Sequence, residues 1–284
     1  MSEIIVNKPS AEKQPIEQLL ELMSRLREPV TGCPWDIEQT YQSIAPSTLE
    51  EAYEVVDAIE KHNYPHLKEE LGDLLFQVVF YAQLGKEDRH FTFDDIVQTL
   101  VDKLVRRHPH VFPDGTLNSR VDLDEKGVAK LDQDGVKKQW EEIKREEREE
   151  KGEQLLLDDI PVALPAITRA AKIQKRAAMV GFDWSDVGEV IEKLEEEIAE
   201  LKEALVEGHR DHIEDEMGDT LFSVINLSRH LKIEPEKCLR RANNKFEQRF
   251  NFIEKSLAEK TKTLDQASAE EMEVLWNEAK KRER

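Results

Sequence analysis

The chain has 284 residues, room for two domains of ordinary size, and carries 61 acidic against 41 basic residues for a net charge of −20. A surface that acidic repels a phosphate backbone and excludes a nucleic-acid polymer as partner, while a small anionic substrate stays open if cations and a few placed Lys or Arg offset the repulsion. No apolar run nears the roughly 20 residues that span a bilayer. Met1 to Gln14 has no apolar leader core. Cys33 and Cys238 match no disulfide or zinc spacing, so the expected setting is the reducing cytoplasm, with no membrane partner.

Residues 1–14 read as a flexible tail. Ile16, Leu19, Leu20, Met23 and Leu26 recur at helical spacing and predict a helix over 15–27. The stretch from Thr31 to Asp36, with its Gly-Cys-Pro-Trp, breaks it. Thr48 with Glu51 three residues on reads as a capping box, opening a helix that runs to about Lys61. A turn over 62–65 and a long helix over 67–84 follow. Another helix is expected over 94–107 from an Asp94 cap. Gly115, Gly127 and Gly135, among many Asp and Asn, make 113–135 a loop, with 132–135 a turn rather than a calcium loop, since the EF-hand spacing is missing. A charged, solvated helix covers 139–151. Pro161 and Pro165 mark a boundary between halves, giving expected domains at 15–150 and 151–284. No strand pattern appears, so the fold class is all-α; charged residues at 36% beside hydrophobic ones at 39% suit amphipathic helices with solvated faces.

A helical unit is duplicated. Glu50, Glu51 and Glu54 followed by Glu70 and Asp73 reappear 146 residues later as Glu196, Glu197 and Glu200 followed by Glu216 and Asp219. Ala58, Leu75 and Val78 map to Ala204, Leu221 and Val224 at the same separation. Lys103 and Arg107 map to Lys245 and Arg249 at 142, and Trp140 and Lys144 to Trp276 and Lys280 at 136. The order is kept while the loops change length.

This spacing suits chemistry. Residues three and four apart share a helix face, and a short turn makes the two helices antiparallel neighbours. Glu51, Glu54, Glu70 and Asp73 then converge across one interface, and Glu197, Glu200, Glu216 and Asp219 across another. Four bare carboxylates repel one another. A hard divalent cation removes the conflict, and oxygen-only ligation selects Mg2+, or Mn2+ in its place, over redox iron, which in such bundles takes a Glu-x-x-His pair. Gly72 and Gly218, costly in mid-helix, sit beside the last aspartate of each set. Close approach of a helix or ligand, or packing alone, accounts for them.

These residues resemble a known family. EExxE, about fifteen residues, then ExxD is the hallmark of the MazG nucleoside triphosphate pyrophosphohydrolases. Further stretches are similar to its two-domain bacterial members: 32–36 (GCPWD), 70–80 (ELGDLLFQVVF), 108–112 (HPHVF), 172–176 (KIQKR), 180–184 (VGFDW) and 243–246 (NNKF). The similarity runs from about Ile16 to Arg282. It implies two tandem MazG-like helical repeats whose four-helix-bundle cores are completed by homodimerisation. It also implies hydrolysis of common and non-standard (d)NTPs to (d)NMP and pyrophosphate. Carried over by position, Glu197, Glu200, Glu216 and Asp219 are the metal ligands, with Glu51, Glu54, Glu70 and Asp73 a possible second set. Lys245 and Arg249, four apart on one helical face, grip the phosphates, while Trp276 and Lys280 close the nucleotide pocket. The expected reaction is attack of cation-activated water at the α-phosphorus, with Glu196 or Glu197 as base.

Both repeats keep the acids but differ nearby. Seven residues past the last aspartate stand Asn226 and Phe80, and two before the lysine stand Asn243 and Val101. The polar pair suits a substrate-facing helix, which makes the C-terminal repeat the expected main catalyst. A narrower enzyme for dUTP or damaged nucleotides is one alternative. A non-catalytic metal-binding scaffold is another, disfavoured because a cation binder needs no placed Lys and Arg.

Overall fold

The computed structural model describes residues 13–120, 132–150 and 155–282. All regular structure among them is helical. The elements are α1 (Pro15–Leu26), α2 (Pro34–Glu38), α3 (Tyr41–Glu60), α4 (Tyr64–Glu87), α5 (Phe93–Arg107), α6 (Gln133–Glu150), α7 (Ala166–Ala178), α8 (Val187–Glu207), α9 (Arg210–His230), α10 (Pro235–Glu259) and α11 (Ala269–Arg282), with a 3-10 turn at Leu264–Gln266. The contacts divide the chain into two compact units, with the division between Ile143 and Lys144, inside α6. No described helix is long and apolar enough to cross a membrane.

Each unit is built on an antiparallel hairpin, α3 with α4 and α8 with α9, backed by a preceding helix, α1 on α4 and α7 on α9. The expected repeat is visible in the packing: Ala58 and Ala204, paired by sequence, are both 0% exposed. A methyl there lets the two helices of each hairpin approach closely. Gly208 caps α8 at φ 77°, a left-handed turn that glycine adopts without a Cβ penalty. In the first unit Met23, Ile44, Val79, Phe80 and Leu84 form the core, which ties α1, α3 and α4 together. In the second, Ile253, Leu257 and Leu275 join α10 to α11.

Several boundaries differ from expectation. Thr48 is not a cap: it lies inside α3, where its hydroxyl donates to the Ile44 carbonyl at 3.2 Å. The cap is Thr40, whose Oγ1 accepts from the Ser43 N–H while Ser43 reciprocates to the Thr40 N–H. The helix therefore begins before Pro46, which it contains, and its first turn places Ile44 in the core. Thr92, not Asp94, caps α5, since Thr92 accepts from the Asp95 N–H and Asp95 returns a bond. Asp94 is left in the first turn, favourable to the helix dipole. The 132–135 turn is instead the start of α6, with the Gly135 N–H donating to Asp132 Oδ1 at 2.8 Å. The break after α1 contains the short α2. The tail expected over 1–14 lies outside the described residues except for Lys13 and Gln14, as does the 121–131 part of the expected loop.

Candidate active site

In the C-terminal hairpin, carboxylate oxygens of Glu197 and Glu200 from α8 and Glu216 from α9 all lie within 4.8 Å of one another. Glu197 is 6% exposed. Burial first, then the Glu197 and Glu216 charges, push the Glu200 carboxyl above its ordinary range, with Lys193 pulling the other way. Asp219, one turn beyond Glu216, lines the cavity beside this cluster together with Glu197. Glu196 turns outward, 57% exposed at its side chain.

Lys193 is a residue the sequence reading missed. Its Nζ stands 2.7 Å from Glu196 Oε1 and 3.0 Å from Glu197 Oε1. Hydrogen bonds to Glu196 and then Glu197 hold the ammonium protonated well above the usual lysine range. The available signal was a lysine one helical turn before a glutamate of the acidic pattern. The first repeat has Ser47 at the matching position. His212 was missed as well. It faces Glu216 Oε1 at 3.2 Å, and its counterpart 146 residues earlier, His66, faces Glu70 Oε1 at 2.9 Å. The acid pattern hid this, because both histidines are set four residues before the glutamate they contact.

In the N-terminal hairpin, oxygens of Glu51, Glu70 and Asp73 gather within the same 4.8 Å. Glu54 stands near enough for its charge to act on Glu70. Burial, then the Asp73, Glu54 and Glu70 charges, raise the Glu51 carboxyl. Glu70 is raised by burial too, with His66 opposing. Of the four acids expected to converge in each half, three gather: Glu51, Glu70 and Asp73 in the first, and Glu197, Glu200 and Glu216 in the second, with Glu54 and Asp219 outside the groups. Among the described residues of this chain nothing approaches Gly72 or Gly218 closely: a Cβ added at either would meet no atom within 4 Å.

The surroundings of the two clusters differ. Beside the C-terminal one is a cavity of about 580 Å³. Ile173, Phe182, Trp184 and Phe222 supply apolar walls, and Lys193, Glu197, Asp219, Asn226 and Arg229 supply the polar ones. Asp183, on the loop after α7, is held by Arg229 and has its carboxyl pulled down to about 2, chiefly by that hydrogen bond. In the first repeat the position of Asn226 is Phe80, 1% exposed and part of the core, with the Arg27 guanidinium 5.3 Å from its ring centre. The loops before the two hairpins also correspond, a match the sequence reading missed: Gly32 and Trp35 pair with Gly181 and Trp184, 149 residues on.

The remaining predicted residues sit on α10 and α11. Arg249 lies over the Trp276 ring at 5.2 Å, and Phe246 packs on the same ring at 5.2 Å. Asn243, Lys245 and Lys280 are exposed. Neither α10 nor α11 contributes to the cavity beside Glu197.

Comparison with known proteins agrees with this architecture. The MazG nucleotide pyrophosphohydrolase domain matches residues 39–112 and 186–252, one match per acidic hairpin. The chain is 47% identical over 272 residues to a nucleoside triphosphate pyrophosphohydrolase of Escherichia coli (strain K12), covering 94% of this chain and 98% of that protein. It is 42% identical over 264 residues to the nucleoside triphosphate pyrophosphohydrolase/pyrophosphatase MazG of Thermotoga maritima, covering 93% and 95%. With two acidic hairpins, two domain matches and similarity along nearly its whole length, the chain belongs to the MazG nucleotide pyrophosphohydrolase family.

Proposed function

We propose that this protein hydrolyses nucleoside and deoxynucleoside triphosphates to monophosphate and pyrophosphate, with the C-terminal repeat as main catalyst. The observation that carries the reading is the shared wall. Glu197 belongs at once to the three-carboxylate cluster and, with Asp219, to a cavity large enough for a nucleoside. Triphosphate and base then lie side by side, one toward the acids and one toward the aromatic walls.

The donor set fits a hard divalent ion. It is all oxygen, gathered within 4.8 Å, and Glu200 is raised first by burial and then by the neighbouring Glu197 and Glu216 charges, which a cation would offset. Glu197, Glu200, Glu216 and Asp219 are the residues that would hold Mg2+, or Mn2+ in its place. Glu51, Glu70, Asp73 and Glu54 offer a second set. When bound, the cation supplies charge neutralisation on the phosphates and acidity toward water. Glu196 or Glu197 takes the proton of the attacking water, and Lys193 bridges the two and orients them. Lys245 and Arg249 hold the phosphate chain, Trp276 and Lys280 cover the nucleotide, and Asn243 hydrogen-bonds it. This role brings α10 and α11 to the substrate.

Homodimerisation is part of the reading. Leu71, Leu75 and Val78 on α4, and Met217, Leu221 and Val224 at the same repeat positions on α9, are all at least 36% exposed. Such a stripe, running past Gly72 and Gly218, supports a second copy completing a four-helix core. The working domains are 15–150 and 151–284, and the setting is the cytoplasm.

The test is incubation of purified protein with the eight common NTPs and dNTPs and Mg2+, with products separated by chromatography, for wild type, Glu200→Ala and Glu51→Ala. Monophosphate and pyrophosphate, lost in Glu200→Ala and largely kept in Glu51→Ala, is the expected result. Turnover confined to dUTP would replace broad tolerance with a narrow specificity. No turnover of any nucleotide would sink the proposal.

A further inference from the structure

Asn226 lines the cavity beside the acids, and its orientation is decided by Arg229. Arg229 Nε and Nη2 both approach Asn226 Oδ1, at 3.1 and 2.8 Å. An arginine carries donors only, so the carboxamide must turn its oxygen toward Arg229. Its NH2 is left with no acceptor among the described residues. Arg229 is itself clamped. Its Nη1 donates to Asp183 Oδ2 at 2.9 Å, its Nη2 donates to Asp183 Oδ1, and His230 Nε2 lies 3.0 Å from Asp183 Oδ1. A planar guanidinium gripped by a carboxylate in this two-pronged way has little freedom to rotate.

The first repeat packs its hairpin without any of this. At the separation of 146, Asn226, Arg229 and His230 become Phe80, Gln83 and Leu84; at the separation of 149, Asp183 becomes Pro34. The first repeat ties its hairpin differently: Gln83, at the place of Arg229, donates to Glu87, which the Arg27 guanidinium grips from the preceding segment. What it lacks is the amide at the cavity wall, since buried Phe80 takes the place of Asn226.

Resting on the proposed triphosphate hydrolysis, we infer that Asp183 and Arg229 are positioning residues that hold Asn226 as a fixed hydrogen-bond donor to the nucleobase. The cavity wall of Phe182, Trp184 and Phe222 suits a flat ring. The NH2 of Asn226, a residue of that same lining, matches an acceptor on the ring. Every common base carries one beside its glycosidic bond, O2 in pyrimidines and N3 in purines. A donor aimed there grips all bases alike and distinguishes none, which is the contact a base-tolerant enzyme needs.

The experiment compares kcat/KM for ATP, 3-deaza-ATP, which lacks that ring nitrogen, and 7-deaza-ATP, which keeps it. Wild type is expected to lose about tenfold on 3-deaza-ATP, the worth of one hydrogen bond, and to use 7-deaza-ATP within about twofold of ATP. Arg229→Gln, the residue of the first repeat, and Asp183→Asn are expected to lower kcat/KM for ATP and bring the ATP to 3-deaza-ATP ratio toward one. Arg229→Lys, still a donor, recovers part of that ratio. The ratio is internal to each protein, so lost stability does not imitate the effect, and Asp183→Asn serves if Arg229→Gln fails to fold. Equal use of ATP and 3-deaza-ATP by wild type overturns the inference. So does an undiminished ratio in both variants. A wild type that turns over no nucleotide removes the hydrolytic reading itself, and the inference with it.

Discussion

The hairpins α3–α4 and α8–α9 gather their carboxylates in the same way, yet they put different matter beside them. Next to the C-terminal acids lie Asn226, a clamped Arg229 and a cavity; at the place of Asn226 the first repeat puts Phe80, buried in the core with Arg27 over its face. One duplicated unit has thus been used once to surround a substrate-sized space and once to fill the equivalent position with hydrocarbon. The lesson is that an acid set in a helix pair offers ligands a cation could use, whereas a substrate also needs room, and room is decided by the neighbours.

The largest expected effect separates the two acid sets. Glu216→Ala should lower kcat by at least about a hundredfold, the scale of losing an electrostatic contact made in the transition state. Glu70→Ala, its counterpart, should leave most of the turnover. A steady-state assay showing the reverse would assign catalysis to the first repeat.

Next comes the filled position against the open one. Phe80→Ala should cost about 3–5 kcal/mol of stability by denaturant unfolding, as a large buried aromatic removed from a packed core. Asn226→Ala should cost under about 1 kcal/mol of stability and instead lower kcat/KM about tenfold. If the two exchanged effects, the contrast between core and site would collapse.

A smaller effect concerns pH and metal. Glu51, Glu70 and Glu200 have carboxyls raised above their ordinary range, so without metal the folded chain binds more protons there than the unfolded one. Their contribution is fully favourable below the unfolded carboxyl range and is lost as pH rises through the folded values. Metal-free protein should therefore lose Tm from these groups as pH rises above the ordinary carboxyl range. Added Mg2+ should raise Tm more at pH 8 than at pH 5. Equal shifts at both values would argue against a cation at the clusters. Alanine at Glu51 should diminish the part due to the first repeat, and alanine at Glu200 the part due to the second.

The smallest effect tests helix starts within the first unit. Thr40→Ala and Thr92→Ala should each cost about 1 kcal/mol, the usual worth of an N-cap. Asp94→Ala should cost little, and Thr48→Ala should weaken only its local contacts. Thermal melts of the four variants decide between these caps and the alternatives at Thr48 and Asp94.

By itself the sequence determined the all-α class, the duplicated unit and the convergence of the acids. Each of these follows from local periodicity: residues three and four apart share a face, and a short turn brings two faces together. Even the buried alanines could be paired this way, since Ala58 and Ala204 keep the repeat separation. The start of α3 was local too, set by the Thr40–Ser43 capping box, but Pro46 six residues on masked it. Lys193 beside Glu196 and Glu197, and His66 and His212 beside Glu70 and Glu216, follow the same helical spacing and were legible there, whereas only tertiary structure decided that Asp183 meets Arg229 across 46 residues. Hydrogen bonds between distant segments leave no periodic signal, and whether a space stays open or is filled by a phenylalanine depends on the packing of three helices at once.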